Sequence, residues 1–118
     1  MSEYYEQMAV FDYAHGLGGN VDPRLKMLFS IENTKGAGRP AAGAIESAGI
    51  PDMMLPVPIH PFHGLYIELK TSTGKPSMKQ RIWQKKLREN GYASEICFGA
   101  DKAIETLTQY LAGELPPF

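Results

Sequence analysis

Apolar residues fall at helical spacing in some stretches of this chain and at every second position in others. Residues 3–15 carry Tyr4, Met8 and Phe11 at i, i+4 and i+7 among helix formers. That run stops at Gly16, Gly18 and Gly19, so an opening helix is predicted. Leu25-Lys26-Met27-Leu28-Phe29-Ser30-Ile31 is a short apolar run that fits a strand. Asn33 to Pro40 reads as a glycine-containing basic loop, and the Ala-rich residues 41–48 as a short helix ended by Gly49. Apolar residues between Pro51 and Pro56 predict a brief strand entered from a fixed turn. Residues 57–64, with Pro58, Pro61 and Gly64, read as a connecting loop. Leu65 to Lys70 then alternates strictly, with Leu65, Ile67 and Leu69 on one face and Tyr66, Glu68 and Lys70 on the other. Ser77 opens a helix that closes at Asn90-Gly91, and residues 92–98 read as a further strand. From Asp101 a last helix places Ile104, Leu107 and Leu111 at i, i+3 and i+7 before Gly113 and Pro116-Pro117. This order predicts an α/β fold, a small mixed β-sheet flanked by helices.

Composition narrows the class. A length of 118 residues suits a single domain over residues 1–118, with no room for a second independent core. Apolar and charged contents of 43% and 21% are those of an ordinary globular protein. The sequence lacks an apolar run long enough for a membrane span, and its N-terminus lacks the basic start and apolar stretch of a signal peptide. Cys97 is the one cysteine, which excludes a disulfide framework and a cysteine-built zinc site and suits a small core residue. A cytoplasmic setting is expected.

The net charge of −1 hides an asymmetry. Between Leu69 and Arg88 stand Lys70, Lys75, Lys79, Arg81, Lys85, Lys86 and Arg88, with no Asp or Glu among them. Local fields follow local charge, so this segment can attract phosphate, although a solvated helix face would carry the same residues.

The chemistry is concentrated in Asp52, Glu68 and Lys70. Residues two apart on a strand share a face, so the Glu68 carboxylate and the Lys70 ammonium stand side by side. Asp52 opens the preceding strand. If the two strands pair, Asp52 and Glu68 converge, and a strand carbonyl such as that of Leu69 adds a third oxygen. A hard divalent cation takes such a set. It would activate a water and stabilise charge on a phosphoryl oxygen, with Lys70 orienting that water or meeting the developing charge. Spacing alone is equally served by a cross-strand ion pair.

The stretches Gly49-Ile50-Pro51-Asp52-Met53-Met54-Leu55-Pro56 and Gly64-Leu65-Tyr66-Ile67-Glu68-Leu69-Lys70 resemble the PD-(D/E)xK nuclease superfamily. More narrowly, they are similar to its VRR-NUC (virus-type replication-repair nuclease) group. Gly74, Ser77, Gln80, Trp83, Leu87, Gly91-Tyr92, Cys97-Phe98-Gly99, Ala103 and Tyr110-Leu111 continue the pattern, as do Glu3-x-x-x-Gln7 and Ile31-Glu32-Asn33. The resemblance covers nearly the whole chain. It implies a restriction-endonuclease-like core that cuts DNA phosphodiesters with Mg2+ or Mn2+. Stand-alone members are similar to homodimeric Holliday-junction resolvases, so branched DNA and a second copy of the chain are the implied partners. Glu32 departs from the pattern, which more often has a small or apolar residue there.

The resemblance also places an acid of the first helix near the metal, either Glu3 or its rival Glu6. It puts Gln80 near the active centre, whereas Ser77-x-x-Gln80 reads on its own as a capping box. Lys75, Lys79 and Arg81, with Lys35 and Arg39 in the basic loop, are the candidate phosphate contacts. His60 and His63 sit in a Pro-rich loop without a nearby carboxylate set and read as surface residues. The alternatives are a DNA-binding subunit without activity, and a nuclease for flaps or nicked duplex.

Overall fold

The computed structural model describes residues 2–31 and 49–116. The basic loop and the 41–48 helix expected from the sequence lie outside them, and with these Lys35 and Arg39. Helix α1 covers Glu3–His15, capped by the Ser2 hydroxyl accepting the Tyr5 amide. The glycines at 16, 18 and 19 end α1 but do not end helical structure, because a short second helix, α2, runs Leu17–Val21.

The strand expected over 25–31 is a correction. Pro23–Met27 forms a 3-10 turn, and strand β1 is only Phe29–Ser30. The cause is local. Asp22 accepts the Arg24 amide through its side chain while Pro23 supplies a fixed φ at the first position, a helix-start signal that overrides the apolar run.

Strand β2 is Met53–Leu55, β3 is Leu65–Lys70 and β4 is Ala93–Phe98. The sheet order is β1-β2-β3-β4. The first three strands pair antiparallel, with Met53 opposite Ile67, and β4 lies parallel to β3. A parallel neighbour requires a crossover, which helix α3 (Met78–Glu89) provides. Helix α4, Ala100–Leu111, follows β4.

The α/β class with a mixed sheet flanked by helices is therefore what the structure has. Leu65, Ile67 and Leu69 are at most 1% exposed and pack with Val10, Ala14, Leu107 and Tyr110. Each such side chain contributes about 1.5–3 kcal/mol by leaving water. The Tyr110 hydroxyl, buried with them, donates to the Val57 carbonyl at 2.6 Å. Cys97 is buried beside Thr106, as a core residue should be. His60 and His63 are exposed.

Gly49 explains how the Asp52 segment is seated. A Cβ there would lie 2.5 Å from Trp83 Cδ1 and 2.8 Å from the Lys79 carbonyl oxygen. Only a glycine lets the chain pass this close to α3 on its way into β2.

Candidate metal centre

Glu68 points from the polar face of β3, yet it is only 5% exposed. Glu3 from α1 and Asp52 from the entry to β2 meet it. Each of the three offers a carboxylate oxygen, and these atoms lie within 4.8 Å of one another. The strand pairing expected from the sequence brings Asp52 to Glu68 as anticipated.

The backbone at Asp52 shows why the acids converge here. Its amide donates to the Ile67 carbonyl at 3.0 Å, one residue out of step with the Met53–Ile67 register, so the β2–β3 ladder ends at this point. Pro51, next along, has no N–H to continue it. The Leu69 amide is met instead by Asp52 Oδ2 at 2.7 Å. Amide and carbonyl of one strand residue share an edge, so the Leu69 carbonyl faces the side that β2 has vacated, next to Asp52.

Gln80 reconciles two readings of its position. Its Oε1 accepts the Ser77 amide at 2.8 Å while the Ser77 hydroxyl accepts the Gln80 amide at 3.2 Å, a complete capping box. Its Nε2 is then free to donate to Glu68 Oε2 at 3.0 Å. The helix cap and the support of Glu68 are one side chain in one rotamer.

Lys70 Nζ lies 3.8 Å from the same Glu68 Oε2. The bland ion pair therefore exists, but it does not satisfy the cluster. Among the described residues Lys70 is the one cation within ion-pair distance of this cluster, and it reaches Glu68 alone, so the Glu3 and Asp52 charges are left unpaired there. Glu68 Oε1 is buried and, among the described residues, has no hydrogen-bond partner. Burial, then the charge of the neighbouring Asp52 carboxylate, push the Glu68 carboxyl up to about 9; Lys70 opposes this and Glu3 adds to it. A buried oxygen without a donor in an acid-rich pocket is costly unless a cation completes it. Three hard carboxylates and a carbonyl fit Mg2+ or Mn2+ well.

Glu3, not Glu6, is the first-helix acid at this cluster. Glu6 has another contact that the sequence did not disclose: its carboxylate accepts the Ala100 amide at the start of α4. Gly99 caps α4 without a side-chain acceptor. A helix start with such a cap must find its acceptor elsewhere.

The candidate phosphate contacts divide. Lys75, Lys79 and Arg81 are exposed along the start of α3 and the turn before it. Arg88, at the far end of the basic stretch, instead donates to the Ser94 carbonyl at 3.1 Å and lies 3.7 Å from Glu95.

The fold and the three-acid cluster thus define an α/β domain with a candidate divalent-cation centre at the end of a broken ladder. A solved structure described as a VRR_NUC domain protein shares this fold: it superposes with a TM-score of 0.76 at 23% identity, covering 96% of this chain and 90% of its own. Neither a family model nor a curated protein matches the sequence.

Proposed function

We propose that this protein is a VRR-NUC nuclease that hydrolyses DNA phosphodiester bonds with Mg2+ or Mn2+. The observation that carries the proposal is Glu68 Oε1, buried beside the Asp52 and Glu3 carboxylates and, among the described residues, without a hydrogen-bond partner. Asp52, Glu68, Glu3 and the Leu69 carbonyl would hold the cation. When bound, it supplies Lewis acidity and a more acidic water. The protein's own groups do the rest. Gln80 holds Glu68 Oε2 and so leaves Oε1 directed at the cluster. Lys70, fixed beside Glu68, meets the charge that develops on the phosphoryl oxygen or orients the attacking water. Lys75, Lys79 and Arg81 would hold phosphates on either side of the cut.

The fold shared with a VRR_NUC domain protein supports DNA as the substrate. We further propose branched DNA, such as a four-way junction, and a homodimer whose two centres cut two strands. Incubation with four-way junction, flap and linear duplex at one salt concentration tests this, since affinity for phosphate falls steeply with salt. Mg2+-dependent cleavage with the junction preferred, together with a dimeric mass in solution, is expected. Cleavage of linear duplex at the same rate would overturn the branched-DNA assignment, and binding without cleavage would leave a non-catalytic DNA-binding subunit.

A further inference from the structure

The third acid of the cluster stands on the part of α1 that is least held by the core. Glu3, Tyr4 and Tyr5 are exposed, and the buried residues of this helix begin only at Val10. Burial therefore does little to fix the direction of the first turn. A polar contact does reach this stretch. Glu6, one turn along from Glu3, accepts the amide of Ala100, the first residue of α4.

The residue before Ala100 is tied to the site as well. The Gly99 amide donates to the Lys70 carbonyl at 2.9 Å. Consecutive amides, Gly99 and Ala100, thus hold the strand that carries Glu68 and Lys70 and the helix that carries Glu3. Gly99 reaches this geometry with φ of 94°, a region that disfavours other residues, and a Cβ there would lie 3.7 Å from Glu6 Oε2.

We propose that Glu6 is a positioning residue, whose bond to the Ala100 amide holds Glu3 within reach of the cation shared with Asp52 and Glu68. The proposal rests on the metal-centre reading above. Groups that orient metal ligands are worth about 10–100-fold in metal affinity. A carboxylate accepting a backbone amide at a helix start is also among the stronger hydrogen bonds.

The test is Mn2+ affinity, read by calorimetry on the full chain without DNA. Glu6→Ala is expected to weaken Mn2+ by about tenfold or more. Ala100→Pro removes the donor instead of the acceptor and should do the same. Proline is tolerated at the first position of a helix, so this second variant answers the question if Glu6→Ala folds poorly. Glu6→Gln keeps an acceptor oxygen and should stay within about threefold of the parent, well short of the loss expected for a broken support.

Repeating Glu6→Ala on a Glu3→Ala background separates positioning from general structure. The further loss of Mn2+ affinity should then be less than about twofold, because coupled residues are not additive. The fall in Tm should be similar in both backgrounds. A full additional loss in the double variant would overturn the proposal, as would parent-like affinity in Glu6→Ala when Glu3→Ala alone is weakened. If Glu3→Ala itself binds Mn2+ as tightly as the parent, the reading of Glu3 beneath the proposal is overturned along with it.

Discussion

Lys70→Ala should slow single-turnover DNA cleavage by about 10²–10⁴-fold, the range for removing a positioned proton-transfer or charge-stabilising group. DNA affinity, measured by anisotropy with Ca2+ in place of Mg2+, should stay within a few-fold. The side chain of Lys70 is 14% exposed and is held at Glu68, whereas Lys75, Lys79 and Arg81 are exposed to a passing phosphate backbone. Its loss should therefore leave the salt dependence of binding nearly unchanged. Mn2+ affinity should hold or rise, because the ammonium that competes for Glu68 is gone. That pattern distinguishes Lys70 from a ligand. Parent-like cleavage by Lys70→Ala would remove this residue from the mechanism.

Glu68→Gln should divide stability from function. Without a divalent cation, the carboxyl of Glu68 is held near 9 by burial and by Asp52, far above the 4.5 of an ordinary Glu. Between those two values the folded state binds a proton that the unfolded chain has released. Stability is therefore fully present below pH 4.5 and is lost progressively as pH rises toward 9. The loss is on the order of 2–4 kcal/mol across pH 5–8, at about 1.4 kcal/mol per unit. Glutamine has nearly the same shape and no charge, so the variant should lose most of this slope and be the more stable protein at pH 8 without metal. Cleavage should be abolished in the same variant. Urea unfolding at pH 5 and pH 8, with EDTA, measures the slope. An equal slope in parent and variant would show that Glu68 is not the source.

How much of this was legible before the structure depends on whether the controlling contacts are local. Strand β3 and helix α3 are written in short-range signals: strict alternation from Leu65 to Lys70, and a Ser77-x-x-Gln80 start closed by Asn90-Gly91. Both appear as expected. The side-by-side placement of Glu68 and Lys70 follows from the alternation, and the meeting with Asp52 follows from the pairing of β2 with β3. The apolar run at 25–31 misled because an Asp22-Pro23 helix start outweighs it.

Contacts between distant segments were not legible. The Asp52 carboxylate takes the amide of Leu69, and Glu6 takes that of Ala100, 94 positions away. Neither bond leaves a periodic trace in the sequence. Gln80 shows the intermediate case. The capping box was readable in Ser77-x-x-Gln80. That its amide nitrogen still reaches Glu68 depends on where α3 lies against the sheet. Lys35 and Arg39 lie outside the described residues, so the phosphate contacts expected of them rest on the sequence alone.

A calorimetric titration of Mn2+ into the parent chain and into Asp52→Asn tests the cation site itself. The asparagine keeps an acceptor for the Leu69 amide and loses the negative charge, so the ladder end is preserved while the cation's ligand is weakened. Saturable binding by the parent is expected, with a loss of about 100-fold or more in the variant, above the cost of losing a group that merely orients a ligand. Equal affinity in the two proteins, or no saturable binding by the parent, would contradict the cation site.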